Sequence, residues 1–222
     1  MPPFQPKYYP RVYRDFKEID GADYRRIIHY YEDHEDTILR LDEYECFEMM
    51  YAYTNALFEV GYHQKHVLMS DNALAWVMEY NIREHESEDV FATLLFRKAA
   101  SYYNLGNYQQ AEHVLNELVR IDPYDEDVIL FLKKCLRKME PALLDHAKAA
   151  SIFLFLLTAF IISVEVLFVR PFYKIYINLI ETSRITTFII ACSILVFGTL
   201  WHYLRVENRV NEFVLQTRRK KK

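Results

Sequence analysis

Glycine is scarce in this chain, at 4 of 222 residues, and proline (7) and cysteine (3) are hardly commoner. With so few turn-forming clusters and few alternating β-branched runs, a many-stranded sheet is excluded. The cysteines, Cys46, Cys135 and Cys192, are odd in number, widely separated and in no CxxC spacing. That excludes a disulfide framework and leaves free thiols in a reducing compartment. No G-x-S-x-G, P-loop, G-x-G-x-x-G or H-E-x-x-H occurs, so no catalytic residue, metal ligand or cofactor is assigned. Residues 1–20, MPPFQPKYYPRVYRDFKEID, are polar and charged where a signal peptide would be apolar. The N-terminal part is therefore expected to stay unexported.

What the chain does have is apolar and aromatic bulk, 52% and 16% of its residues, recurring at helical spacing. An all-α class follows. After an irregular lead-in over 1–19, helices are predicted over about 21–33, 42–61, 63–81, 90–105, 108–121 and 125–139. In LDEYECFEMMYAYTNALFEVG, Phe47, Met50, Tyr51, Thr54 and Leu57 form one stripe, Asp42 with Glu45 has capping-box spacing, and Gly61 is a natural stop. The next helix has its stripe at Val67, Leu68, Ala73 or Leu74, Val77 and Met78. The charged REHESED at 83–89 reads as a loop.

Two long apolar runs follow, Ala149 to Val169 and Ile185 to Leu204. Each is long enough to cross a bilayer, which takes about 20 residues. Residues 170–184 form a short linker between them, and residues 205–222 a basic tail. The charge divides accordingly. Residues 1–148 carry 17 basic against 27 acidic residues, a net of −10, and residues 149–222 carry 10 against 4, a net of +6. An acidic domain repels phosphate backbones, so nucleic acid is excluded as a partner. Lys133, Lys134, Arg137, Lys138 and Lys148 precede the first run, and Arg205, Arg209, Arg218, Arg219 and Lys220 to Lys222 follow the second. The linker has only Arg170, Lys174 and Arg184. This bias places both termini in the cytoplasm and the linker outside. The RRKKK end, Arg218, Arg219, Lys220, Lys221 and Lys222, suits contact with anionic lipid at the membrane surface. Glu165 is a carboxylate inside a span, costly and a functional candidate, with pairing to Arg170 or Arg184 as the plain alternative.

The stretch NLGNYQQAEHVLNELVRIDPYD, 104–125, resembles a tetratricopeptide (TPR) repeat. Leu95 stands at the repeat's first large position and Tyr102 at its tyrosine. Gly106 and Tyr108 belong to the GNY turn, Ala111 and Leu115 take the Ala-x3-Phe places, and Pro123 closes the unit. Lys98 and Ala99 replace the usual Leu-Gly. A degenerate repeat precedes it, with Gly61-Tyr62 as its turn. The resemblance covers about 45–140. It implies stacked helix pairs (a solenoid) over 20–141, followed by the membrane hairpin. It also implies a concave groove lined by Glu48, Tyr51, Asn55 and Phe58, by Thr93, Phe96, Ala100 and Tyr103, and by Leu130, Lys134 and Arg137. Some members clamp a C-terminal carboxylate with Lys and Asn, but here Phe96 and Ala100 occupy such places. An aromatic groove with a basic edge suits an apolar or amphipathic peptide.

The expected protein is a scaffold of the bacterial inner membrane that holds a protein partner through a cytoplasmic TPR domain. No small-molecule substrate is expected, and the bilayer itself is a partner. A second reading is an accessory subunit of a secretion, insertion or transport complex. It would dock through its hairpin, where Ala159 with Ser163 and Thr187 with Ala191 permit close helix packing. A third is a small metal-dependent membrane enzyme built on HYYEDHED, His29 to Asp36, and the His63/His66 pair. The spacings there match no metal motif, and a solvated acidic face explains the cluster.

The topology is checked with single cysteines at Asn178 and Thr217 in a background lacking the native thiols. An impermeant thiol reagent should label position 178 in intact cells and position 217 only after lysis. Equal labelling of both before lysis overturns the hairpin orientation.

Overall fold

The computed structural model describes residues 10–82, 84–85, 88–139, 142–169 and 177–221. Residues 1–9 of the lead-in, Pro141, residues 170–176 of the linker and Lys222 lie outside the described residues. The chain divides into two compact units, Met1–Val128 and Ile129–Lys222.

In the first unit helices follow one another: α1 (Arg11–Lys17), α2 (Tyr24–Ile38), α3 (Glu43–Val60), α4 (His63–Glu79), α5 (Val90–Asn104) and α6 (Tyr108–Ile121). From α2 onward each packs on the next. Between α4 and α5, Glu84–His85 pairs antiparallel with Glu88–Asp89, where a loop was predicted. Local chemistry sets the helix ends. Asp23 and Asp89 accept the backbone N–H groups of Arg26 and Ala92 and so start α2 and α5. Asp42 stands at the N-cap of α3, but its side chain makes no cap hydrogen bond. Glu43 and Glu45 supply the acidic charge that suits that helix end.

One turn is built twice. Gly61 (φ 86°) and Gly106 (φ 78°) lie in the left-handed region, where only glycine sits without strain. The Tyr62 N–H then reaches the Leu57 carbonyl at 2.9 Å, and the Asn107 N–H reaches that of Tyr102 at 2.9 Å. Both are Schellman closures, and each is followed two residues later by the next helix. These two glycines do identical work at the α3–α4 and α5–α6 turns.

The core comes from the inward stripes. Ile27, Ile28, Tyr31 and Ile38 of α2 meet Phe47, Met49, Met50, Ala56 and Leu57 of α3, with Ala73, Leu74 and Val77 of α4 and Leu94 of α5 completing the cluster. Tyr31 stacks on Tyr53 at 4.2 Å between ring centres. Burying each large side chain contributes about 1.5–3 kcal/mol. The stripe predicted for α4 needs correction. Leu68 and Met78 are 67% and 65% exposed, whereas His66 and Ser70 are fully buried. Apolar residues surround α4 on several sides, so their spacing alone did not mark its inward face. Farther along, Ala99 of α5 and Ala111 and Leu115 of α6 are fully buried. Two alanines at a helix–helix contact let the backbones approach.

The second unit contains α7 (Glu126–Met139, beginning just before it), α8 (Ala142–Val164, running on through a π-helical turn at Glu165–Val169) and α9 (Ile177–Lys221). Both α8 with its π turn and α9 are long and apolar enough to cross a membrane. The expected boundaries shift, because helix begins at 142 rather than 149. Moreover, α9 is continuous through the second half of the linker, the second apolar run and the tail. Its 45 residues span about 68 Å at 1.5 Å per residue, roughly twice the ~30 Å hydrocarbon core.

The α8–α9 seam has a seven-residue rhythm. Ser151, Thr158 and Glu165 are buried on α8, and Ala191 on α9. Arg184 and Gly198 lie seven residues either side of Ala191. The helices run antiparallel, with Glu165 meeting Arg184 at 3.0 Å and Ala147 against Gly198 at the other end. A Cβ added to Gly198 would lie 2.5 Å from the Ala147 Cβ, so this is a glycine-only approach. Phe155 and Phe188 meet at 5.7 Å. Ser151 and Thr158 each donate to the carbonyl four residues back, at 2.8 Å, which satisfies their hydroxyls in an apolar seam. Of the small-residue pairs proposed from sequence, Ala191 is in the seam, but Ala159 and Ser163 are exposed. A four-residue spacing picks a different face of α8 from the seven-residue one.

Ala111→Leu should destabilise the chain by about 1–3 kcal/mol through overpacking. Gln109→Leu, at an exposed site, should stay within about 0.5 kcal/mol. Thermal unfolding of both variants in detergent checks this. Equal effects would show that α6 is not held through its Ala111 face.

Candidate functional site

Three of the four groove residues expected on α3 come together. Glu48, Tyr51 and Asn55 line a half-open cleft of about 430 Å³, with Phe16, Lys17 and Ile19 from α1 and its turn, Tyr24 and Ile27 from α2, and Arg97 from α5. Glu48 and Tyr51 are each only 8% exposed. Burying the Glu48 carboxylate is tolerable because α1 satisfies it: the Tyr13 hydroxyl and the Lys17 ammonium both donate to it. A third hydrogen bond holds α1 in place, from the Tyr30 hydroxyl to the Val12 carbonyl at 3.0 Å. At the other end of the cleft Arg97 pairs with Glu59 at 3.8 Å. Between the two ends the Asn55 Oδ1 is shielded from solvent with no hydrogen-bond partner. An acceptor in that state costs free energy until something donates to it.

The fourth residue, Phe58, is not on the cleft. Its ring packs against His63 and His66 and lies under the Arg97 guanidinium, 5.5 Å away. This is a packing role between α3, α4 and α5. On α5, Thr93, Phe96, Ala100 and Tyr103 are all half-buried, and Tyr103 meets Tyr108 edge-on at 5.3 Å. Among the expected seam residues, Ala111, Leu115 and Pro123 are buried, and Leu95, Tyr102 and Tyr108 are half-buried.

Leu130, Lys134 and Arg137 belong to the second unit. Leu130 and Lys134 are exposed. Arg137 does not form a groove edge, because α9 holds it. Its guanidinium lies 4.1 Å from the Tyr203 ring centre and 3.8 Å from Glu207, and its carbonyl meets His202 Nε2 at 3.3 Å. Lys133 also pairs with Glu207, and this bond holds the Glu207 carboxyl below its ordinary range. Alternation of basic and apolar residues along α7 did not reveal which cations would be consumed. Glu165 is 1% exposed and bonded to Arg184, one of the two partners expected for it.

Within the histidine-rich acidic stretch, His34 and Glu32 are held by hydrogen bonds. His34 Nδ1 meets the Tyr30 carbonyl at 2.9 Å and its ring stacks on Tyr30. Glu32 accepts from the Tyr53 hydroxyl at 2.9 Å and from Lys65 at 3.0 Å. The Lys65 bond is the main cause of its lowered pKa. Among the described residues no group of three or more His, Cys, Asp and Glu could hold a metal ion.

Sequence reasoning missed Tyr13, Lys17, Glu59 and Arg97, which complete the cleft. Only the ion-pair chemistry of Glu48 and Glu59 hinted that cations had to reach them. It also missed the buried chain His63–Ser101–His66. Ser101 Oγ lies 2.9 Å from His66 Nδ1 and 3.2 Å from His63 Nδ1. Ser70 Oγ donates to the His66 carbonyl at 2.7 Å. His66 and Ser101 are both fully buried, and their hydrogen bond ties α4 to α5.

No protein-family model, no curated protein and no solved structure matches the chain.

Burial lowers the His66 pKa from its ordinary 6.5 to about 4, with His63 and Arg97 adding to the effect. The unfolded chain therefore binds more protons between those two values, and stability must fall as pH drops from 6.5 towards 4. The loss from this residue is about 3 kcal/mol across that window. His66→Gln removes the titration. Denaturant midpoints at a series of pH values should show a shallower acid decline in that variant than in the wild type. Parallel declines would mean that His66 is not held neutral.

Proposed function

We propose that this chain is a membrane-anchored interaction scaffold, whose helical first unit holds a protein partner beside a bilayer crossed by the α8–α9 hairpin. The observation that carries the reading is the cleft on α3. Three of its lining residues, Glu48, Tyr51 and Asn55, are among those that the TPR resemblance assigns to a peptide groove, and it contains a shielded acceptor, Asn55 Oδ1, with nothing donating to it. Consecutive packing of α2 to α6 and the repeated glycine turn support a solenoid of TPR-like helix pairs. The Lys/Arg bias supports a cytoplasmic first unit at a bacterial inner membrane. Tethering raises the effective concentration of domain and partner beside a membrane machine. No chemistry at the cleft asks for catalysis.

One observation favours the accessory-subunit reading. Ala159 and Ser163 are exposed on α8, outside the hairpin's own seam, so a small-residue face remains for another membrane helix.

Co-purification separates the two. Tagged full-length chain is isolated in mild detergent and its companions are identified by mass spectrometry. Asn55→Arg fills the cleft, and Phe96→Ala with Tyr103→Ala removes two α5 aromatics that the resemblance assigns to the groove but that lie outside the cleft. Aromatic anchors commonly carry about 2 kcal/mol or more, so these variants should lose the partner while helix content and membrane insertion persist. Replacing the two spans by an unrelated hairpin should leave the partner bound. The reverse pattern would move recognition into the membrane.

A further inference from the structure

We propose that the end of the hairpin nearest α7 carries a binding site for anionic phospholipid headgroups, formed by Lys138, Lys148 and Arg205. The basic end of α9 is not that site. The proposal rests on the membrane reading above and adds a specific lipid class and location to it.

By sequence, every cation flanking the spans is equivalent. The structure sorts them. Lys133 and Arg137 are consumed by Glu207 and the Tyr203 ring. Because those contacts fix α7 on residues 202–207 of α9, Lys138, next to Arg137, is held near the level of Tyr203 and is exposed. Arg205 is exposed two residues beyond Tyr203. Neither Lys138 nor Arg205 has an ion-pair partner among the described residues. Lys148 is 51% exposed, with only a long 3.8 Å pair to Asp145, of a kind worth little in solvent. It follows Ala147, which abuts Gly198, so it sits within about one turn of Trp201. Trp201 and Tyr203 are 56% and 48% exposed, as suits aromatic side chains at a lipid–water boundary. Three cations and two aromatics thus lie within about 12 Å of one another along the hairpin axis, where α8 and α9 leave the apolar layer.

The RRKK cluster of α9 is at a different height. Arg218 follows Leu204 by fourteen residues of unbroken helix, about 21 Å. That is more than two Debye lengths at physiological salt, each about 8 Å. A helix continuing its transmembrane course therefore holds this cluster out of reach of the headgroup charge.

The test uses Trp201 as its reporter. The full chain carries Trp76→Phe, which leaves Trp201 as its single tryptophan. It is reconstituted into phosphatidylcholine nanodiscs containing a minor fraction of tail-brominated lipid, either phosphatidylglycerol or phosphatidylcholine. Each surface cation is worth roughly a fivefold local preference for anionic lipid. Brominated phosphatidylglycerol should therefore quench Trp201 more than the same fraction of brominated phosphatidylcholine, and high salt should remove the excess. Lys138→Ala with Lys148→Ala and Arg205→Ala should abolish the excess while quenching by brominated phosphatidylcholine stays unchanged, which shows that the hairpin is still inserted. Arg218→Ala with Arg219→Ala, Lys220→Ala and Lys221→Ala should keep it. Equal quenching by the two lipids in the parent chain, or loss of the excess only in the distal variant, overturns the site. No quenching by either lipid would overturn the membrane reading itself.

Discussion

Helices in a bilayer gain nothing from hiding apolar surface, because the lipid is as apolar as they are. For a hairpin that crosses a bilayer, as proposed here, the second unit depends on that constraint. What holds α8 to α9 is close approach and polar satisfaction, supplied at seven-residue intervals. Gly198 allows contact with Ala147 where any Cβ would collide. Ser151 and Thr158 are small enough for the seam and turn their hydroxyls back to their own helix. At the far end the Glu165–Arg184 pair closes the hairpin. Breaking such a pair leaves an uncompensated charge, so it opposes slippage more strongly than its net contribution suggests. Glu165 also begins the π-helical turn, a distortion that re-aims side chains and often marks a site with a special requirement.

The same logic operates on α7, where the partners are charged and wet at one side. Glu207 gathers Lys133 and Arg137, and the Arg137 guanidinium covers Tyr203. These contacts convert the residues before the first span from a tether into a helix of fixed position. They also explain why a tail that reads as a loose basic extension is helical. Val206, Val210 and Val214, at four-residue spacing, are buried on one side of α9, so that side continues to pack well past the apolar run.

The sequence was most legible where one rule decided the outcome. Helix α6 falls on its expected bounds because Gly106 and the Asp122-Pro123 pair punctuate it. Gly61 ends α3 for the same reason. Apolar length alone located the two helices that are long and apolar enough to cross a membrane. Legibility failed where two rules competed. Hydrophobicity around α4 hid its inward face, and a buried histidine with two serines took the place that Leu68 was expected to fill. In the hairpin, four-residue small pairs were a weaker guide than the heptad carrying Ser151, Thr158 and Glu165. The cleft was half legible. The repeat resemblance assigned Glu48, Tyr51 and Asn55 to a groove, but nothing local announced that α1 would cover part of it or that Arg97 would close the other end.

That cover has a consequence for any ligand. Glu48 already has a hydroxyl and an ammonium from α1. A ligand seeking this carboxylate must first displace both, and it must also disturb the Phe16–Tyr30 contact and the Tyr30–Val12 bond that hold α1 down. Asn55 imposes no such requirement, since its Oδ1 is shielded and unpartnered. The Glu59–Arg97 pair at 3.8 Å is loose enough to reorganise. Charge in the cleft is balanced, with Lys17 against Glu48 and Arg97 against Glu59, so attraction of net charge does not select the ligand there. For the proposed partner, the entry of least cost is therefore a neutral donor, such as a peptide N–H or a side-chain amide, directed at Asn55 and flanked by apolar contact with Tyr24 and Tyr51. Selectivity would then come from hydrogen-bond geometry, because a group that shields Asn55 further without donating to it leaves the penalty in place.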